Sequence, residues 1–124
     1  MTIIEAINQI DAMKPNSYSQ TDKIKWLSNL DWSIKKEIID THEGYEDIKF
    51  NGYDENSSLD TILLVDAPYD EVYIRWLEAQ IDYANGEYGK YNNSITAYNT
   101  AFKGYMNYYN RKHMPLQKNG LKYF

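Results

Sequence analysis

Asp54, Asn56, Ser58 and Asp60 alternate along one polar run, the way a calcium-binding loop presents its first oxygen ligands. The pattern then fails. Leu59 stands where such a loop needs a glycine for its sharp turn, and Val65 where it needs a bidentate glutamate. Two histidines, His42 and His113, fall near helix ends, where a cation meets the negative end of the helix dipole, and their spacing makes no metal pair. Gly86 and Gly89 follow no strand and form no phosphate loop, and no serine sits in a Gly-x-Ser-x-Gly elbow. Asp40, Glu43, Glu46 and Asp47 read as a solvated cluster rather than as two carboxylates held apart in a cleft. Cysteine is absent, which removes thiolate nucleophiles, disulfides and thiolate metal sites. The expectation is a protein that is not an enzyme, with no cofactor, no metal and no small-molecule substrate.

The lack of cysteine also fits a reducing compartment. No apolar run approaches the roughly 20 residues that span a bilayer, and the N-terminus lacks a basic segment followed by an apolar one. A soluble cytoplasmic chain without signal peptide or membrane contact is therefore expected. Thirteen Lys and Arg against 18 Asp and Glu leave a net charge of -5, which argues against sequence-independent binding of phosphates. Lys23, Lys25, Lys35 and Lys36 are the only local basic concentration, and Asp22, Asp31 and Glu37 dilute it, so it reads as a solvated helix face. Thirteen tyrosines against three phenylalanines allow two readings, a surface made for protein contacts or a core trimmed with tyrosine.

The elements that must position these residues are helical, in one domain. Thr2 with Glu5 makes a capping-box pattern, and Ile3, Ile4, Ile7, Ile10 and Met13 keep helical spacing over about 2–14, before Pro15. Ser19 with Asp22 starts a second helix over about 20–42, carried by Ile24, Leu27, Leu30, Ile34 and Ile38 and stopped by Gly44. Trp26 and Trp32, six residues apart, lie on different faces of it. The long connection to the third helix contains Asn51-Gly52, a turn signal between Ile48 and Phe50 on one side and Tyr53 on the other. A short β-hairpin is one reading there, although Asp54 to Ser58 does not continue as a strand. Ile62, Leu63, Leu64 and Val65 are expected as an extended segment buried under the third helix. A connection of this length usually has a job, which makes it the candidate partner-binding loop.

Glu71, Arg75, Glu78 and Asp82 trace one polar stripe on a helix over about 69–85 whose other faces are apolar, so this helix is read as central. Tyr91, Ile95, Tyr98, Phe102, Tyr105 and Tyr109 form a heptad-like seam over about 88–113, opposite a wet face of Asn92, Asn93, Thr96, Asn99, Lys103, Asn107 and Asn110. Gly86 and Gly89 between them predict an antiparallel pair, with the seam packed on the Trp76 face. One long helix kinked near Gly86 is the alternative. Residues 114–124 follow as an extended tail ending Leu-Lys-Tyr-Phe.

From Leu63 onward the run Leu-Leu-Val-Asp-Ala-Pro-Tyr-Asp-Glu-Val-Tyr-Ile-Arg-Trp-Leu-Glu-Ala-Gln-Ile-Asp-Tyr-Ala-Asn-Gly-Glu-Tyr resembles a segment of small proteins of Firmicutes siphophages and prophages. So do Tyr91-Asn92-Asn93-Ser94, Tyr108-Tyr109-Asn110-Arg111 and Ile39-Asp40-Thr41-His42-Glu43-Gly44. The resemblance is to head–tail connector (adaptor, or head-completion) proteins, and it is strongest over Leu63–Met114. It implies an all-α, small four-helix subunit that assembles with itself as a ring beneath the portal protein. Such a ring extends the DNA channel after packaging and meets the next connector or a tail protein. The implied location is the virion at the head–tail interface, reached from the host cytoplasm. DNA would pass close by without being bound, and an acidic balance suits that, since a basic lumen would hold the phosphates.

The family carries no active site to transfer. Inter-subunit contacts are expected at Glu71, Arg75, Glu78 and Tyr108, and portal or tail contacts at Tyr53, Asp54, Leu121, Tyr123 and Phe124. The bland reading of the first group is ordinary pairing along a helix surface. Two other functions remain in view. One is a small regulatory or DNA-binding protein, for which the second helix would be the recognition element; the other is a tail-completion protein.

Overall fold

The first helix, α1 (Ile3–Met13), begins as its sequence dictates. The Thr2 hydroxyl accepts from the Glu5 amide at 3.2 Å, and the Glu5 carboxylate accepts from the Thr2 amide at 2.8 Å. In the computed structural model, which describes residues 1–116, three more α-helices follow: α2 (Gln20–Glu37), α3 (Glu71–Ala84) and α4 (Tyr88–Lys112). Single 3-10 turns lie at Ile39–Thr41 and Tyr45–Asp47. No strand occurs among the described residues, and the domain is all-α. Residues 117–124, with Leu121, Tyr123 and Phe124, lie outside the described part.

α3 is the central helix. It packs on α1, α2 and α4, whereas α4 touches α3 alone among the helices. The core is formed by Ile3, Ile7 and Ile10 of α1, Leu27, Leu30 and Ile34 of α2, and Val72, Tyr73, Leu77 and Ile81 of α3, all but fully buried. Between α3 and α4 the chain reverses through Gly86 at φ 75°. The Gly86 amide donates to Tyr83 O and the Glu87 amide to Asp82 O, both at 3.0 Å. That is a Schellman closure, which a left-handed glycine permits. The antiparallel hairpin is thereby formed, and the single kinked helix is not.

The hairpin seam is aromatic and steps by sevens. Tyr83 meets Tyr91 at 5.3 Å between ring centroids, Trp76 meets Tyr98 at 4.8 Å, and Tyr69 meets Tyr105 at 6.3 Å. Each move of seven residues from Tyr83 back through α3 to Tyr69, just before its start, matches seven up α4, as antiparallel heptad packing requires.

Three expectations need correction. α2 stops at Glu37 rather than near His42. Ile34, Ile38 and Ile39 are all buried, and the last turn tightens to 3-10 so that adjacent isoleucines both face the core. The Thr41 hydroxyl (2.7 Å) and His42 Nδ1 (2.6 Å) then occupy the Ile38 carbonyl. The β-hairpin is absent. Gly52, at φ 87°, instead lets the backbone press onto α2, where an added Cβ would lie 3.0 Å from the Trp32 indole nitrogen. The segment 62–65 is extended, so its sides alternate. Leu63 and Val65 are buried, but Ile62 is 70% exposed.

The returning end of the connection has a structural task. Leu59 O and Thr61 O accept from the Ile4 and Ile3 amides, each at 3.0 Å. The free N–H groups of the first turn of α1 are satisfied in this way by residues nearly sixty positions away.

Candidate functional site

Asp31 lies on the apolar stripe of α2, between Leu27 and Ile34, and is completely buried. Three donors close around it. Tyr53 Oη donates at 2.5 Å, Tyr73 Oη at 2.7 Å and the Leu64 amide at 3.1 Å. Tyr73 Oη in turn accepts from the Val65 amide at 2.7 Å. One carboxylate thus ties α2, α3 and both arms of the long connection together. Burial raises its pKa above the ordinary carboxylate value, and the hydrogen bonds from Tyr53, Tyr73 and Leu64 oppose that shift. The phenols of Tyr53 and Tyr73 are also pushed up, by burial first and by the Asp31 charge second, so both stay protonated donors. Sealed from solvent, the group is a tether rather than a reactive centre.

A second group lines a polar cleft between the end of α1, α3 and the start of α4. The buried Asp82 accepts from Lys14 Nζ at 2.7 Å and from the Ser94 hydroxyl at 2.9 Å. The hydrogen bond to Asp82 raises the Lys14 pKa. Arg75 and Lys90 also line this cleft. Arg75 Nε meets Glu71 at 3.1 Å and its Nη1 meets Glu78 at 3.7 Å, while Lys90 meets Glu87 at 3.2 Å. Its cations are therefore neutralised from within the chain.

A third group is aromatic. Tyr105, Tyr108, Tyr109, His113, Ile39 and Leu64 surround a cleft of about 160 Å³. Beside it His42, expected as a cation capping a helix end, is buried. Its Nε2 lies 2.6 Å from Asn110 Oδ1, its Nδ1 is on Ile38 O, and its ring sits edge-on to Tyr109 at 5.0 Å. It joins the end of α2 to α4. His113 is exposed and stacks on Tyr109 at 4.0 Å.

The residues singled out from sequence separate into surface and interior. Glu71, Arg75 and Glu78 share the surface of α3, but Asp82, the last of their stripe, is buried on Lys14. Tyr108 is half-buried and stacked on Tyr69 at 4.5 Å. Tyr53 turns its hydroxyl inward to Asp31, whereas Asp54 is exposed. Asp54 Oδ1 accepts from the Asn56 amide and Ser58 Oγ from the Asp60 amide, so these oxygens shape turns. Lys23, read as part of a solvated face, is buried against Asp11 at 2.7 Å.

Asp31 was missed as a tether, yet a signal existed. Ile24, Leu27, Asp31, Ile34 and Ile38 step by three, four, three and four, which places the carboxylate on the core face. Among the described residues no group of three or more His, Cys, Asp or Glu converges as metal ligands would. No described helix is long and apolar enough to cross a membrane. Comparison with protein-family models, with curated proteins and with solved structures finds no match for this chain.

Proposed function

We propose that this chain is a structural virion subunit, a head–tail connector that forms a ring between the portal and the tail of a siphophage and extends the DNA channel. One observation carries the reading. The stretch with the strongest resemblance, Leu63–Met114, contains the whole α3–α4 hairpin, whose outer helix packs on α3 alone among the described helices and leaves its opposite face exposed among the described residues. A subunit that must meet copies of itself and two further proteins needs such surface more than it needs a cleft. The buried polar groups support the same reading, because Asp31 and Asp82 are consumed in holding elements together.

On this reading the partners are other copies of the chain, the portal protein, and the next connector or a tail protein. The location is the head–tail interface, with assembly in the host cytoplasm. Glu71, Arg75, Glu78 and Tyr108 belong to the contacts between copies. Tyr53 and Asp54 belong to the portal or tail side, with Leu121, Tyr123 and Phe124 of the chain end.

Cosedimentation of the purified protein with its cognate portal, followed by negative-stain imaging, tests this directly. A ring added at one end of the portal is the expected result. Absence of binding, together with absence of the protein from purified virions, would overturn it.

A further inference from the structure

Charge is sharply divided along this chain. Residues 43–87 hold twelve carboxylates against Lys49 and Arg75, while residues 88–124 hold no carboxylate and six cations. In space, the first block includes the exposed Glu43, Glu46, Asp47, Asp54, Glu55 and Asp60 of the α2–α3 connection. Among the described residues, none of these six lies within ion-pair distance of a cation.

The described part of the second block is chiefly α4, which carries Lys90, Lys103, Arg111 and Lys112. Its exposed ridge runs Asn92, Thr96, Asn99, Lys103, Asn107 and Asn110, flanked by Thr100 and Arg111. The ridge is about 27 Å long, at 1.5 Å per residue, and presents amide and hydroxyl groups and cations with no carboxylate. Helix stability does not explain it, since Asn and Thr are poorer helix formers than the Glu, Lys or Gln usual on a solvated face. Nor, apart from Asn110, which meets His42, does packing among the described residues. Gly104, in a shallow hollow of this ridge with Thr100 and Lys103, has nothing within 4 Å of where a Cβ would stand.

We infer that the α4 ridge of one copy docks on the acidic α2–α3 connection of a second copy of this chain. Amide and cation donors on one surface meet carboxylate acceptors on the other, and the two surfaces differ. The contact is therefore heterologous, and repetition closes a ring or continues as a filament. Only the closing into a ring rests on the connector reading. The inference goes beyond that reading in two respects. It brings the long connection, with Asp54, into the contact between copies as well, and it adds the α4 ridge to the internally paired Arg75 stripe as a surface of that contact.

The test uses the full chain in sedimentation velocity at about 50 mM and about 500 mM salt. It compares the parent with two charge-reversed variants, Lys103→Glu with Arg111→Glu, and Asp54→Lys with Glu55→Lys. All four positions are exposed, and circular dichroism checks that both variants fold. Parent assemblies should weaken at high salt. Each variant alone should associate roughly ten- to a hundredfold more weakly, and an equimolar mixture of the two should regain heteromers, because the unchanged ridge of one variant faces the unchanged connection of the other and the two reversed surfaces also complement each other. A parent that stays monomeric at low salt, or assemblies that neither variant weakens, would overturn the inference. So would duplex DNA binding lost in the α4 variant with self-association untouched, which would assign the ridge to nucleic acid. Restored heteromers without portal binding would leave this contact standing and remove the connector reading; portal rings indifferent to both variants would do the reverse.

Discussion

Along the α3–α4 hairpin, tyrosines meet ring to ring: Tyr83 on Tyr91, Tyr98 on Trp76, Tyr105 on Tyr69. Across the α2–α3 connection, Tyr53 and Tyr73 meet through their hydroxyls, on the carboxylate of Asp31. One residue type serves two different physics. In the seam the aromatic body supplies contact area, repeated every seven residues, so each pair shares the load with its neighbours. At the tether the polar tip supplies the link, and the three donors depend on a single acceptor. The helical hairpin should therefore yield gradually to substitution, and the irregular connection abruptly.

The sharpest way to break this contrast is Asp31→Ala. It leaves two phenols and the Leu64 amide without their partner in a sealed site, and roughly 3–5 kcal/mol of stability should be lost in urea unfolding. If the seam folds independently of the tether, the Tyr98–Trp76 contact will survive partial unfolding, which tryptophan fluorescence would follow. Removing one oxygen in each region compares them directly. Tyr73→Phe should lose about 1–3 kcal/mol, because the Val65 amide and one Asp31 oxygen go unpaired. Tyr98→Phe should change stability by less than about 0.5 kcal/mol, since its ring is what the seam uses. Equal losses for the two phenylalanine variants would erase the distinction.

Gly52→Ala probes the tether without touching its hydrogen bonds. A positive φ of 87° and a close Trp32 neighbour should make it destabilising by roughly 1–2 kcal/mol. Limited proteolysis should then cut first between residues 48 and 58.

The smallest effect is the pH dependence of Asp31. Its folded pKa is raised above the ordinary value of 3.8, so the folded chain holds that proton more tightly than the unfolded one. The desolvation penalty is in force at neutral pH and is relieved as pH falls through the folded pKa. The stability of the parent relative to Asp31→Asn should rise on acidification through that window and level off near 3.8. A flat difference would mean that Asp31 is already neutral at pH 7 or is not buried.

Local signals in this chain were trustworthy wherever the decisive partners lie within a few residues. Thr2 and Glu5 cap α1, Ser19 caps α2 by accepting from the Asp22 amide at 3.1 Å, and Gly86 closes the turn between α3 and α4. The seam from Tyr91 to Tyr109 is also local, because a seven-residue repeat on two helices joined by a short turn leaves them one register. Hydrophobic period and caps alone therefore determined four helices and their order, and favoured the hairpin over one long helix kinked near Gly86.

What only tertiary structure decided concerns polar residues with distant partners. Asp31 could be read as diluting a basic face until Tyr53 and Tyr73, 22 and 42 positions away, were brought to it. Lys23 could be read as solvated until Asp11 met it. Asn51-Gly52 could be read as a hairpin turn until Trp32 stood beside Gly52. The physical reason is common to all three. A charge or a turn dipeptide carries no record of whether it will meet water or a partner, and the partner is supplied by packing between segments far apart in the chain.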